Sequence, residues 1–191
     1  MIYIRHRVNR VEDLKKVPES EGVEIDLRDF AGEIVLQHDP FKDGEKFELF
    51  LKRYAHAFLI LNIKSEGIEE KVLELVLARG IQDFFFLDLS FPAMMKLVRN
   101  GENRIAVRYS EFEPEAQALA LKGKVKWIWA DCFTRIPWTP EAYNALKSTF
   151  KICLVSPELQ NHSPDWILDF KKSFANYPVD AICTKYPELW K

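Results

Sequence analysis

A regular alternation constrains this chain more than any other feature. Short apolar runs rich in β-branched and aromatic residues recur along it, with amphipathic stretches between them. The runs fall near residues 2–6, 22–28, 57–64, 83–88, 103–108, 125–131, 151–155 and 180–184. Their length and their β-branched, aromatic content read as strands rather than buried helices. Helical patterns lie between: VEDLKKV, KFELFLKRYAHA, GIEEKVLELVLARG, PAMMKLVRN, PEAQALALKG, TPEAYNALKSTF and SPDWILDFKKSF. The last two open with Thr-Pro or Ser-Pro, a helix-start signal. Strands alternating with helices call for a parallel sheet, because each parallel crossover needs a helix on the way back. Eight such units without a break favour an α/β fold closed into a single compact (β/α)8 TIM barrel, without an insertion domain, over residues 1–191. An open doubly wound sheet competes with it, but no Gly-rich loop of the Walker or dinucleotide type supports that reading.

One unit departs from the pattern. After VEIDLRDF comes AGEIVLQHD, which reads as an extra hairpin strand ending at His38 and Asp39. No linker, low-complexity tract or domain boundary interrupts the chain. At 191 residues it is short for a barrel, yet long enough to bury a substantial core. A formal net charge of -2 argues against a general polyanion binder, so nucleic acid is not an expected partner, while one local phosphate site stays open. Cys132, Cys153 and Cys183 are too scattered for a disulfide framework or a Cys-x-x-Cys knot and read as small core residues. The start, MIYIRHRVNR, lacks an apolar leader core, and no apolar run is long enough to span a bilayer. The expectation is a cytoplasmic protein with no stable membrane insertion.

In a barrel of this kind the site lies at the C-terminal ends of the strands, so polar residues there need a reason. The first strand ends in His6 and Arg7. The second holds Glu24 and Asp26 two residues apart, so alternation sends both to one face. The third repeats the device with Asn62 and Lys64, and His38 closes the hairpin after the second. If Val23, Ile25 and Leu27 face the helices, the two carboxylates face the barrel interior, where they repel each other unless a cation neutralises them. A divalent metal, Lys64 and Arg7 are the available neutralisers. Oxygen donors from Glu24, Asp26 and the Asn62 carbonyl would suit a hard ion, Mg²⁺ or Ca²⁺. A barrel core has no structural use for so many polar side chains at the ends of three consecutive strands.

At these residues the sequence resembles the glycerophosphodiester phosphodiesterase family and the related sphingomyelinase D-type phospholipases. The similar motifs are the His-Arg of IRHR, the acidic pair of VEIDLR, the His-Asp of LQHDP, the lysine of LNIKSEG, the Ser-Phe of LDLSFPAMMKL and the terminal ICTKYPELW. They span nearly the whole chain in order. The departures are Val8 for a glycine, Asn62 for a third acidic ligand, Lys185 for an aspartate, a missing Pro-Glu-Asn-Thr stretch and a missing cap insertion. The resemblance implies metal-assisted cleavage of a small-molecule phosphodiester, with Glu24, Asp26 and Asn62 on the metal and Arg7 and Lys64 offsetting phosphoryl charge. His6 and His38 suit the acid and base roles, since one imidazole can be neutral while the other is charged near neutrality. The competing readings are a cyclising lyase and a degenerate barrel that binds a phosphorylated ligand without cleaving it. His56 and His162 read as surface residues. Arg108, Asp131 and Glu158 fall near later strand ends, with Trp129 and Phe91 as candidate apolar walls.

Overall fold

The computed structural model describes residues 1–191. The chain divides into two compact units, Met1–Arg5 with Ile105–Lys191, and His6–Arg104. Parallel strands stand at all eight predicted places, with helices between them.

In the first unit, β1 (Ile2–Arg5), β7 (Ala106–Tyr109), β8 (Trp127–Ala130), β9 (Lys151–Val155) and β10 (Ala181–Thr184) are parallel in the order β1-β10-β9-β8-β7. β8 and β10 are buried at every position, as a sheet covered on both faces requires. Between them run α5 (Glu115–Leu119), α6 (Pro140–Lys147) and α7 (Trp166–Ser173). Thr139 caps α6 by accepting from the Ala142 amide, with Pro140 in the first turn. α7 starts at Trp166, later than its Ser-Pro signal, because Ser163 spends its hydroxyl on the preceding turn at Asp165. The terminal α8 (Pro187–Trp190) is pinned by the Trp190 indole, which donates to Ser156 at 2.8 Å.

The second unit is built on β2 (Gly22–Phe30), which pairs in parallel with β5 (Phe58–Ile63), as β5 does with β6 (Phe84–Leu87). The far half of β2 turns back as the expected hairpin with β3 (Glu33–Leu36), and β4 (Glu45–Lys46) pairs with β3 in turn. Gly44 is required there, since a Cβ on it would lie 2.3 Å from the Leu36 carbonyl oxygen. The helices are α1 (Val11–Leu14), α2 (Phe47–Leu51), α3 (Glu69–Ala78) and α4 (Phe91–Arg99). α1 and α2 are much shorter than their amphipathic patterns. Ser90 caps α4 by accepting from Ala93.

The cores are aliphatic and aromatic: Val23, Ile25, Leu27, Leu59, Leu61 and Phe84 to Phe86 are almost wholly out of water in the second unit. All three cysteines are free and buried, as the sequence suggested. No helix is long and apolar enough to cross a membrane.

Candidate active site

β2 is the spine of the site. Glu24 and Asp26 are 0% and 1% exposed, alternating with Val23, Ile25 and Leu27 as period-two geometry demands. The strand register sets Asp26 directly beside Asn62 of β5. Three segments bearing site residues hang from consecutive stretches of the same strand. Val8 donates its amide to the Glu24 carbonyl at 2.8 Å, Gln37 to the Asp26 carbonyl at 3.0 Å, and Lys64 to the Leu27 carbonyl at 2.8 Å. Those amides follow His6 and Arg7, precede His38, and belong to Lys64 itself.

The residues predicted for the site therefore share one unit and one end of its strands. Arg7 has a left-handed backbone, φ 58°, a conformation that is uncommon for a long side chain. The turn aims its amide at Glu24 Oε2, 2.7 Å away, and a charge-assisted hydrogen bond offsets the strain. The Arg7 guanidinium lies 3.4 Å from Asp26 Oδ2 and the Lys64 ammonium 3.8 Å from Asp26 Oδ1. His6 Nε2 is 3.8 Å from Glu24 Oε2. Asn62 Nδ2 donates to Glu24 Oε1 at 2.8 Å in a fully buried contact. Burial, reinforced by the repulsion of Asp26, pushes Glu24 up to about 7, against the pull of Asn62, the Arg7 amide and Lys64.

His38 sits on the loop beyond β3. Its Nδ1 is 2.9 Å from Asp39 Oδ1, and its carbonyl accepts from Arg28 at 2.9 Å. An Nδ1–H donated to Asp39 leaves Nε2 as the ring nitrogen available to a ligand. His38, then Lys42, hold the Asp39 carboxyl down at about 2.

Two residues of this network were not picked out from the sequence. Asn9 holds Asp26 twice: its amide donates to Asp26 Oδ2 at 2.8 Å and its carbonyl accepts the Asp26 amide at 2.9 Å. Asp88, whose backbone is also left-handed at φ 59°, accepts from Lys64 Nζ at 2.9 Å. The only signals were a polar residue three places after His6 and an aspartate closing the fourth strand.

Of the remaining candidates, Arg108, Asp131, Glu158, Trp129 and His162 belong to the first unit. Arg108 donates to buried Asp131 at 2.6 Å, which also accepts from Gln160 at 2.6 Å; burial pushes Asp131 up to about 6 despite Arg108. Glu158 accepts from Ser156, Thr184 and the Lys185 amide and so ties the loop after β9 to the end of β10. Trp129 is core. Phe91 is not a wall: as the first residue of α4 it projects outward, 64% exposed. His56 and His162 are half-buried rather than on the surface. His56 Nε2 contacts the Val17 carbonyl, and His162 stacks on Trp166 at 4.1 Å.

The expected divalent ion can be tested against the donors. Such an ion takes six or more oxygens, with one or more carboxylates turned toward it and carbonyls or waters making up the rest. Here both Glu24 oxygens and one Asp26 oxygen already accept protein hydrogen bonds, and the other Asp26 oxygen faces Lys64. Asn62 turns its NH₂ toward Glu24, so its carbonyl and Asp26 Oδ1 are the buried oxygens left without a hydrogen-bond donor. No three His, Cys, Asp or Glu side chains cluster as metal ligands. As arranged, the set does not fit a divalent ion.

No family model matches the chain, and no curated protein matches it in sequence. Solved structures do. A glycerophosphodiester phosphodiesterase from Agrobacterium tumefaciens is 16% identical with a TM-score of 0.72, over 100% of this chain and 99% of the other. A glycerophosphoryl diester phosphodiesterase from Parabacteroides distasonis is 13% identical, TM-score 0.64, over 99% and 84%. A tryptophan synthase alpha-subunit from Pyrococcus furiosus is 12% identical, TM-score 0.58, over 96% and 85%. These likenesses show the fold, the TIM-barrel α/β fold that the alternation of strands and helices predicts, and it is the fold of solved glycerophosphodiester phosphodiesterases.

Proposed function

We propose that the chain is a phosphoric diester hydrolase acting on a small glycerophosphodiester-like molecule. One observation carries the reading most of the way: two fixed cations, Arg7 and Lys64, flank Asp26 on the strand whose other carboxylate, Glu24, adjoins His6. The names of two similar structures agree with it.

The chemistry follows from the substrate's charge. A phosphodiester is an anion, and further charge gathers on its non-bridging oxygens as the nucleophile approaches. Arg7 and Lys64 supply the offsetting charge. Water attacks phosphorus, one P–O ester bond breaks, one imidazole takes the proton from water, and the other gives a proton to the departing alkoxide. His6 and His38 fill this pair. Glu24 lies 3.8 Å from His6 Nε2, and an Nδ1–H donated by His38 to Asp39 leaves the His38 Nε2 for the ligand.

The test is to incubate the full chain with a panel of glycerophosphodiesters and an aryl phosphodiester, with and without chelator, and to identify the phosphorus product by NMR. A monoester that disappears in both His6→Ala and His38→Ala supports the reading. A persistent cyclic phosphate would replace hydrolysis by a cyclising lyase. No turnover, with inorganic phosphate still bound, would leave a binding protein.

A further inference from the structure

A buried acidic pair must be neutralised, and this chain does it with its own groups. Glu24 has one oxygen on the Asn62 amide and the other on the Arg7 N–H. Asp26 has one oxygen on Asn9 and lies within 3.4 Å of Arg7 and 3.8 Å of Lys64. Glu24 and Asp26 thus each have protein partners of their own, and a divalent ion on Asp26 Oδ1 would be repelled by the nearby Lys64 ammonium, which Asp26 shares with Asp88 at 2.9 Å.

Asn62 decides the matter. Its NH₂ stands 2.8 Å from Glu24 Oε1. Turning the amide over would set its oxygen against the ionised Glu24 carboxylate at that distance, which only a cation or a proton between them would hold. As it stands, a neutral donor does for Glu24 what an ion would do. We propose that the Glu24–Asp26–Asn62 face works without a divalent cation, so that the phosphate group of the ligand is held by Arg7 and Lys64 alone. The nature of the ligand rests on the phosphodiester reading; the absence of an ion requirement rests on the donors just described.

The experiment begins with binding, independently of turnover. Chelator-treated full-length chain is titrated with Mg²⁺, Ca²⁺ and Mn²⁺ by calorimetry, and its melting temperature is followed in parallel. Inorganic phosphate is then titrated with chelator and with millimolar Mg²⁺. The wild type should give no saturable heat and no shift in Tm with any ion, and its phosphate affinity should be the same in both buffers. Asn62→Glu, or Asn62→Asp should the longer side chain fail to fold, should gain ion affinity by on the order of tenfold or more, because carboxylate count tunes such sites. Saturable ion binding by the wild type that is lost in Glu24→Gln would overturn the proposal. So would phosphate binding that needs the ion. A chain that binds phosphate without ions but cleaves no diester would instead remove the hydrolase reading and leave this one standing.

Discussion

Glu24 is wholly out of water, two residues from a second buried carboxylate, and its pKa is raised from 4.5 to about 7, first by burial and then by Asp26. The folded chain therefore holds this proton more tightly than the unfolded chain does. The stability that proton contributes is complete below 4.5 and is lost as pH rises through about 7. At about 1.4 kcal/mol per pH unit, the displacement amounts to roughly 3 kcal/mol between pH 4.5 and pH 8. A glutamine cannot ionise, so Glu24→Gln should remove most of that slope. The glutamine's single carbonyl oxygen can accept from the Asn62 NH₂ or from the Arg7 amide but not from both, and its own NH₂ then faces the other donor, a loss of about 1–2 kcal/mol. The variant should then unfold at higher urea than the wild type at pH 8, by about 1–2 kcal/mol, and at equal or lower urea at pH 4.5. Urea denaturation of both proteins at the two pH values measures it, since taking the difference between them cancels the other titrating groups. An identical difference at both pH values would refute the reasoning, and so would a variant that loses more stability than the wild type on going to pH 8. The group that makes the site also burdens the fold, a familiar exchange of stability for function.

Other consequences are quick to check. His6→Ala and His38→Ala should each lower diester turnover by about 10²–10⁴-fold, the range of a lost acid or base; circular dichroism should show His38→Ala folded, because that side chain is 41% exposed. Asn9→Ala strips two hydrogen bonds from Asp26 and should cost about 2–3 kcal/mol by urea denaturation, with phosphate affinity falling as Asp26 relaxes. Gly44→Ala forces a Cβ onto the Leu36 carbonyl and should cost about 1–3 kcal/mol. The strain falls on the hairpin that ends at His38, so turnover should fall with it.

The strands were legible because a strand covered on both faces is apolar along most of its length, in runs too short and too rich in β-branched and aromatic residues for helices. The helices were less so: the VEDLKKV pattern yields only Val11–Leu14, since a short amphipathic stretch ends where its packing partner does. The His-Arg, Glu-x-Asp and His-Asp pairs could be read because their spacing repeats a strand's period or closes a hairpin. Asn9 and Asp88 could not, being single polar residues in loops whose importance comes entirely from what the fold brings to them. The Asn62 case is different in kind. Its position was read correctly, but whether the amide presents its oxygen or its NH₂ depends on the neighbouring carboxylate. Periodicity carries no such information.

The three carbonyls of β2 that hold the loops of His6, His38 and Lys64 give the candidate site a single datum from which each of those positions is measured. Moving the strand as a whole would carry all of them along together, whereas slipping it by one residue against β5 would trade acids for aliphatics at every mark on the scale. Insertions in the loops should therefore retune the chain by degrees, and a single residue inserted within Val23–Leu27 should silence it completely.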